Sequence, residues 1–212
     1  MKHGLRAEKF FSEEERKRIR EAIRSSESRT IGEIAVMVVE SSDHYFEAEV
    51  IGAVLLSGLL SLTTTVSLFH SSVWWYVPLN FVLFFPARLL FRRVGTLKSA
   101  FVGLHRKEHA VRQRAVRAFY EKGLYKTRKN TGILFLISIF ERKVRVLADS
   151  GIHEKIGQET LDGFVKGVSE GIRKGRACDS LCKAIHESGE LLALHFPVTP
   201  DDTNELSDDV IV

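Results

Sequence analysis

The sequence lacks several signatures by which enzymes and exported proteins are usually recognised. It has no Walker A loop, no H-E-x-x-H motif and no cysteine followed at phosphatase spacing by arginine, which excludes those phosphoryl-transfer and zinc-hydrolase motifs. No basic n-region followed by an apolar h-region and a cleavage site opens it, so we expect no secretory signal peptide. No nucleic-acid-binding module accompanies its net charge of +4, so we expect no nucleic-acid partner.

Charge is also missing from two long stretches in the middle of the chain. Residues 50–69 contain no charged side chain, and residues 73–91 contain only Arg88. A bilayer core about 30 Å thick needs about 20 helical residues, and both stretches have that length. Two buried helices of a soluble protein are the alternative, but they would need a larger surrounding core than this chain can build. We therefore predict a two-helix transmembrane hairpin over residues 50–91.

Details inside the two stretches fit a membrane. Trp74 and Trp75 lie beside the proposed tip, His70–Ser72, where amphipathic rings favour the headgroup level. Pro78 and Pro86 should kink the second helix, which transmembrane helices tolerate. A stripe of small residues at every fourth position should let the second helix approach closely. This stripe consists of Ala53, Ser57, Ser61 and Thr65.

Basic residues are concentrated beside the hairpin. Residues 92–129 contain twelve Lys or Arg against Glu108 and Glu121, whereas the proposed tip contains none. The positive-inside rule then places both flanks in the cytosol and the tip outside. We expect an integral protein of the inner or plasma membrane whose soluble domain is cytoplasmic. Its expected partners are the lipid bilayer, including anionic headgroups, and a second membrane protein.

The remaining sequence predicts a layered α/β domain. Ser12 and Glu15 form a capping box before a helix, and TIGEIAVMVVE reads as a strand that is apolar on both faces. A basic helix, two strands (133–140 and 144–148) and further helices follow the hairpin. The predicted segments are residues 11–49 and 92–197 for the α/β domain, 50–91 for the hairpin, and 198–212 for an acidic disordered tail.

Three segments carry a family resemblance. TIGEIAVMVV, FYEKGLYKTRKNTGILFLISIFERKVRVLADSGIHEKI and LLALHFP resemble the TPM domain, over roughly residues 11–40 and 115–197. The resemblance implies a three-layer α/β/α sandwich and a membrane-tethered auxiliary or assembly factor. It also implies weak acid-phosphatase activity with divalent-cation binding, as attributed to some members. Two features differ from the usual pattern: the hairpin lies inside the domain, and the charge rule places the domain in the cytosol.

The resemblance points to acidic residues at strand ends. Glu33 begins the first strand and Asp149 follows the third. If those strands are antiparallel neighbours, the two carboxylates converge and, with water, would suit Mg²⁺ or Ca²⁺. The alternative is that Glu33 pairs with a nearby arginine and Asp149 caps the following helix. The sequence identifies no catalytic residue.

Other patterns have ordinary structural interpretations. G-x-S-x-G at residues 167–171 lacks the preceding strand that a nucleophile elbow needs, so its serine is predicted to be helical. Cys178, Cys182 and His186 recur every four residues, which fits either a soft-metal site or a packed helix face, and we favour packing. Glu141 and Arg142 are predicted to be exposed turn residues.

Two functional hypotheses remain. The first is a membrane-anchored auxiliary, assembly or interaction module. The second is a weak divalent-metal-dependent acid phosphatase. The sequence favours the first, because the anchor and its charge are evident whereas no complete catalytic set is.

Overall fold

The computed structural model describes residues 5–68, 73–198 and 209–211, so the predicted tip His70–Ser72 lies outside the described residues. The chain divides into two compact units, Met1–Ser42 with Glu108–Val212 (the core unit) and Asp43–Lys107 (the hairpin unit). The helices and strands, in chain order, are α1 (Leu5–Glu8), α2 (Glu13–Glu27), β1 (Glu33–Val39), α3 (Phe46–Leu68), α4 (Val73–Arg93), α5 (Gly95–Ala100), α6 (Leu104–Glu121), β2 (Gly132–Ser138), β3 (Lys143–Ala148), α7 (Ser150–His153), α8 (Gln158–Arg173) and α9 (Ala177–His195).

The sheet of the core unit has β2 in its centre. β2 pairs in parallel with β1 and antiparallel with β3. The first and third strands are therefore not direct neighbours, and the condition under which Glu33 and Asp149 would converge is not met. Composition explains the order: β2 is apolar and buried along its whole length, whereas Lys143 and Arg145 alternate with buried residues along β3, which suits an edge strand.

Helices cover both faces of the sheet. On one face, Ile34, Val36 and Val38 join apolar residues of α2, α8 and α9 in the larger of two cores. On the other face, the intervening residues of β1 pack with apolar residues of α6. The predicted three-layer α/β/α sandwich is confirmed, and the unbroken apolar run of β1 follows from its burial on both faces.

The predicted start of the first helix is confirmed in detail. Ser12 accepts a hydrogen bond from the Glu15 backbone N–H, and the Glu15 carboxylate accepts one from the Ser12 backbone N–H. These reciprocal bonds satisfy two backbone donors that have no partner inside the helix. The helix buries Ile19 and Ile23 against the larger core.

The turn between β2 and β3 differs from its prediction at one residue. Glu141 is buried, at 6% exposure, rather than exposed. Its carboxylate accepts a hydrogen bond from the Ser42 backbone N–H at 2.9 Å and another from the Ser138 hydroxyl. The segment leaving β1 supplies one of these donors, and a single-sequence turn pattern contains no information about that segment. Arg142 is exposed with φ 53°, as a tight turn requires.

The last described residues also depart from the predicted disordered tail. Ile211 forms a parallel bridge with Met37, donating to the Val36 carbonyl oxygen and accepting from the Val38 N–H, both at 2.9 Å. Asp209 forms an ion pair with Arg20. Residues 209–211 therefore cover part of the β1 edge, because a buried edge strand needs partners for its backbone groups. Residues 199–208 lie outside the described residues.

Candidate functional site

The small-residue stripe of α3 faces α4 within the hairpin unit. All members of the stripe are buried: Ala53, Ser57, Ser61 and Thr65. The Ser57 hydroxyl donates to Asn80 Oδ1 at 2.7 Å, and the Ser61 hydroxyl donates to the Tyr76 carbonyl oxygen at 2.8 Å. The contact between the helices is thus made by small residues and polar hydrogen bonds, which is typical of helix pairs in lipid.

The outward faces of α3 and α4 are apolar. Nine large apolar side chains on each helix are exposed, among them Leu55, Leu59 and Phe81. Only 28% of the most apolar stretch of α3, and 6% of that of α4, is buried. Both helices are long and apolar enough to cross a membrane, and neither is buried as a core helix of a soluble domain would be.

Ion pairs connect the residues at the start of α3 with residues that follow α4 in the chain. Glu49 Oε1 lies 2.8 Å from Lys98 Nζ, and both side chains are only 11–12% exposed. Arg106 lies 2.7 Å from Asp43 Oδ2 and 3.7 Å from Glu47 Oε1. The Glu49–Lys98 pair joins α3 to α5 within the hairpin unit. The three acidic residues of this unit are therefore all used in ion pairs.

A basic face runs along α6. The two acidic residues of the helix pair with other cations, Glu108 with Lys143 at 3.7 Å and Glu121 with Arg114 at 3.2 Å. Within the part of the chain that the structure describes, no ion pair involves the exposed residues Arg112 and Arg117. The face forms a shallow groove lined by His109, Arg112, Gln113, Val116 and Arg117. Such a surface favours an anionic ligand or partner.

The predicted metal-binding residues lie at one end of the sheet but not side by side. Glu33 is opposite Gly132 in the β1–β2 register, and the Asp149 N–H donates to the Gly132 carbonyl oxygen at 2.9 Å. Glu33 and Asp149 therefore flank Gly132, with their backbones two strand spacings apart, about 9–10 Å. Leu124 packs over Gly132, where a Cβ would lie 2.5 Å from the Leu124 carbonyl oxygen. Leu124 thus fills the space above the strand that separates the two acidic residues.

Asp149 has the capping role that the sequence offered as an alternative. It is the N-cap of α7, and its Oδ1 accepts from the Ser150 backbone N–H at 2.7 Å. Its Oδ2 is buried and accepts no hydrogen bond from the described residues. Nearby, the carbonyl oxygens of Lys129 and Asn130 approach Gly151 so closely that a Cβ there would lie 2.3 and 2.8 Å from them. Asp149 therefore lies in an oxygen-rich corner of the core unit.

The donor set around these two carboxylates is small for a metal. Mg²⁺ and Ca²⁺ take six or more oxygen ligands. Within residues 5–68, 73–198 and 209–211, no group of three or more His, Cys, Asp or Glu side chains could hold an ion. A divalent ion at Asp149 would thus depend on backbone carbonyl oxygens and water for most of its ligands.

The cysteines of α9 pack as a helix face. Cys178 Sγ and Cys182 Sγ are 3.9 Å apart, and His186 is exposed. Burial raises the pKa of both thiols, that of Cys182 to about 12. Protonated thiols are poor metal ligands and poor nucleophiles at neutral pH, so the geometry favours packing. The serine of the G-x-S-x-G pattern, Ser169, lies inside α8, as predicted.

Sequence reasoning missed three contacts in these regions. Asn80 forms a polar contact between the hairpin helices, and the Glu49–Lys98 pair joins α3 to α5. A signal for the pair was present, because Glu49 is the last acidic residue before the apolar run and Lys98 lies shortly after it. Asn80 is the only amide side chain between residues 50 and 91, which would have marked it as a polar contact. No local signal indicates the burial of Glu141.

These observations describe an α/β/α domain whose chain is interrupted, after its first strand, by an apolar helical hairpin. The family model for the TPM domain matches residues 93–188 of the chain. A similar solved structure is the NMR structure of BA42 protein from the psychrophilic bacterium Bizionia argentinensis sp. nov.. The two are 19% identical, with a TM-score of 0.60 over 95% of this chain and 94% of that one, which supports the fold alone. No curated protein matches the chain.

Proposed function

We propose that this protein is a membrane-anchored TPM-domain module with an auxiliary, assembly or interaction role at the membrane. In this proposal α3 and α4 cross the bilayer, and the TPM domain lies in the cytoplasm of a cell whose inner or plasma membrane holds the anchor. The observation that carries it is the inverted burial of the hairpin: Ser57 and Ser61 are buried between the helices, whereas eighteen large apolar side chains, including both tryptophans, are exposed.

The free energy of burying its exposed apolar side chains favours lipid over water as the surroundings of the hairpin. Eighteen large apolar side chains, nine on each helix, are exposed there. Fully burying one such side chain is worth about 1.5–3 kcal/mol. A folded domain is stable by only about 5–15 kcal/mol, so an apolar surface of this size needs an apolar solvent or a partner. The length of both helices suits a bilayer core.

The orientation follows from the positive charges that flank the hairpin. Arg92 and Arg93 end α4, and the chain that follows is strongly basic. The positive-inside rule then assigns this flank to the cytosol. The basic face of α6 is the proposed site for a partner, namely an acidic surface of a second membrane protein, because Arg112 and Arg117 are exposed there.

The anchor is tested by alkaline carbonate washing of membranes from cells that express the full chain. We expect the wild type to stay in the pellet. A variant in which residues 44–103 are replaced by a short Gly/Ser linker should move to the supernatant. A wild type that is washed off would overturn the anchoring. A label attached at an exposed position of α9 that reacts only from outside intact cells would overturn the orientation.

A second candidate function, weak divalent-metal-dependent acid phosphatase activity, has one supporting observation. Asp149 Oδ2 is buried without a hydrogen bond from the described residues, beside the carbonyl oxygens of Lys129 and Asn130. Mg²⁺ or Ca²⁺ held by Asp149, by these carbonyl oxygens and by water would supply the electrostatic stabilisation that phosphoryl transfer needs. Phosphate release should then require the metal and fall on Asp149→Asn, whereas the exposed α8 variant Asp162→Asn should behave as the wild type. Equal activity in EDTA would exclude this function.

A further inference from the structure

We propose that the segment after α4 is a binding surface for anionic phospholipid headgroups, with apolar side chains inserted among the lipids and two arginines on their phosphates. The surface consists of Arg92, Arg93, Leu97, Phe101 and Leu104, and we call it the ledge. This inference rests on the proposed function, because it assumes that the hairpin lies in a bilayer. It adds the chemical class of lipid and the residues that select it.

The apolar residues of the ledge, which follow α4 in the chain, are exposed. Leu97 is 39%, Phe101 40% and Leu104 77% exposed, and all three lie in the hairpin unit. The Phe101 ring also contacts the buried Phe91 ring of α4, with centroids 5.3 Å apart. The exposed apolar surface of the ledge is therefore adjacent to the transmembrane helix rather than isolated from it. A surface of this kind suits the boundary between headgroups and acyl chains.

The position of the ledge is held by buried polar contacts. The Glu49–Lys98 ion pair, at 2.8 Å, fixes α5 to α3, and its side chains are almost completely buried. Lys107 Nζ donates to the Ser99 carbonyl oxygen at 3.0 Å and to the Ser99 hydroxyl at 2.6 Å. These contacts attach the segment at both ends, so the exposure of Leu97 and Leu104 is a feature of a fixed structure. Lys98 and Lys107 are used for this purpose and are not available to lipids.

The two arginines of the ledge have no acidic residue available to them within the hairpin unit. Residues 50–107 contain no Asp or Glu. The three earlier acidic residues of the hairpin unit are already paired, Glu49 with Lys98 and the other two with Arg106. Arg92 and Arg93 are exposed and form no ion pair within the described residues. Two exposed arginines at consecutive positions, followed in the chain by exposed apolar side chains, fit phosphate groups of anionic lipids, because a guanidinium group binds two phosphate oxygens at once.

The test uses the full chain reconstituted in nanodiscs of phosphatidylcholine alone or with one quarter phosphatidylglycerol. In a Cys178→Ala/Cys182→Ala background, an environment-sensitive fluorophore is attached to a single introduced cysteine. The three positions are Leu104→Cys on the ledge, Leu59→Cys on the outer face of α3, and Leu194→Cys on α9. Leu194 is 73% exposed, so it matches Leu104 in exposure but lies in the core unit.

We expect brominated lipids to quench the label at 104 and at 59 but not at 194. Quenching at 104 should be stronger when phosphatidylglycerol is present. Arg92→Gln/Arg93→Gln should weaken the preference for phosphatidylglycerol by at least about fivefold, because one basic residue near an anionic surface contributes about 1 kcal/mol. Quenching at 59 without quenching at 104 overturns the ledge and leaves the anchor intact. No quenching at 59 overturns the proposed function itself. Equal quenching at 104 in both lipid compositions overturns the assignment to anionic lipids.

Discussion

Substitutions on the outer face of α3 should have opposite effects depending on whether this face contacts lipid or water. Leu55 and Leu59 are 58% and 60% exposed, and both lie within two residues of the midpoint of the helix. We consider the variant Leu55→Arg/Leu59→Arg. In water, each change replaces an exposed apolar side chain by a soluble one, and such surface substitutions usually alter stability by less than about 0.5 kcal/mol. A soluble protein would then keep its fold and gain solubility.

In a bilayer the same variant is strongly destabilised. An arginine at the centre of a transmembrane helix costs about 3 kcal/mol on insertion scales, so two cost about 6 kcal/mol. Because 1.4 kcal/mol is tenfold in an equilibrium constant, insertion should become about four orders of magnitude less favourable. We expect the variant to leave the carbonate-resistant membrane fraction, or to be degraded.

The assay is the fraction of the chain retained in carbonate-washed membranes, compared with Leu194→Arg. Leu194 is 73% exposed on α9, so this control adds an arginine at an equally exposed leucine of the core unit. The control should be retained like the wild type. If Leu55→Arg/Leu59→Arg also stays in the membrane pellet at wild-type level, the boundaries assigned to the first membrane helix are wrong.

Three further variants or conditions test individual contacts. Gly52→Ala should lower the melting temperature in detergent, because its Cβ would lie 2.3 Å from the Phe91 ring and overpacking costs about 1–3 kcal/mol, whereas Gly58→Ala has 3.5 Å of space and should not. Glu141→Ala should destabilise the core unit by about 1–3 kcal/mol in denaturant titration, because it leaves buried donors without an acceptor; an unchanged midpoint would contradict this. Burial raises the pKa of the Cys182 thiol from 9.0 to about 12, so between these pH values the unfolded state loses the proton that the folded state keeps. The free energy of unfolding should therefore be constant below pH 9 and fall as the pH rises toward 12. Cys182→Ala should flatten that slope.

Local patterns in the sequence were sufficient for several elements. The capping box at Ser12 and the apolar run of β1 predict structures that depend on neighbours within a few residues, and both are confirmed. The small-residue stripe of α3 also follows helical spacing alone, and it forms the contact with α4. Periodicity is informative in these cases because each pattern reports the environment of one element.

Features that join distant parts of the chain could not be predicted in the same way. The hairpin of β2 and β3 leaves one free edge on each strand, and the sequence does not show that β1 joins the free edge of β2. The burial of Glu141 depends on Ser42, about one hundred residues earlier. The pairing of Ile211 with β1 depends on an unfilled strand edge that the sequence does not display. The strand order also decides the geometry of the candidate metal-binding residues, because β2 lies between the strands that end at Glu33 and Asp149.

The parallel pairing of β1 with β2 explains how an apolar helical hairpin can lie inside this domain. Parallel neighbours need a crossover connection of a dozen or more residues, usually through a helix, and α6 packs on the sheet in that role. A segment inserted between the end of β1 and the start of α6 therefore lengthens this connection without interrupting the helix that packs on the sheet. Loop length changes the closure free energy only slowly, by about 0.6 kcal/mol per doubling. An insertion at this point should thus cost the sheet little.

The same reasoning predicts the behaviour of the core unit without its insert. Replacing residues 44–103 by a Gly/Ser linker of about ten residues keeps Asp43, Arg106 and the whole of α6. The connection from Ser42 to Leu104 shortens from 61 intervening residues to about eleven, which alters closure by at most about 1.5 kcal/mol. We expect a soluble protein with a single cooperative unfolding transition. Its contacts between α6 and the β1–β2 face should be intact, as judged by slow amide exchange at Leu134 and Leu136. Fast exchange at these two buried positions would mean that the sheet requires the hairpin, and the hairpin would then be part of the fold rather than an insertion into its crossover.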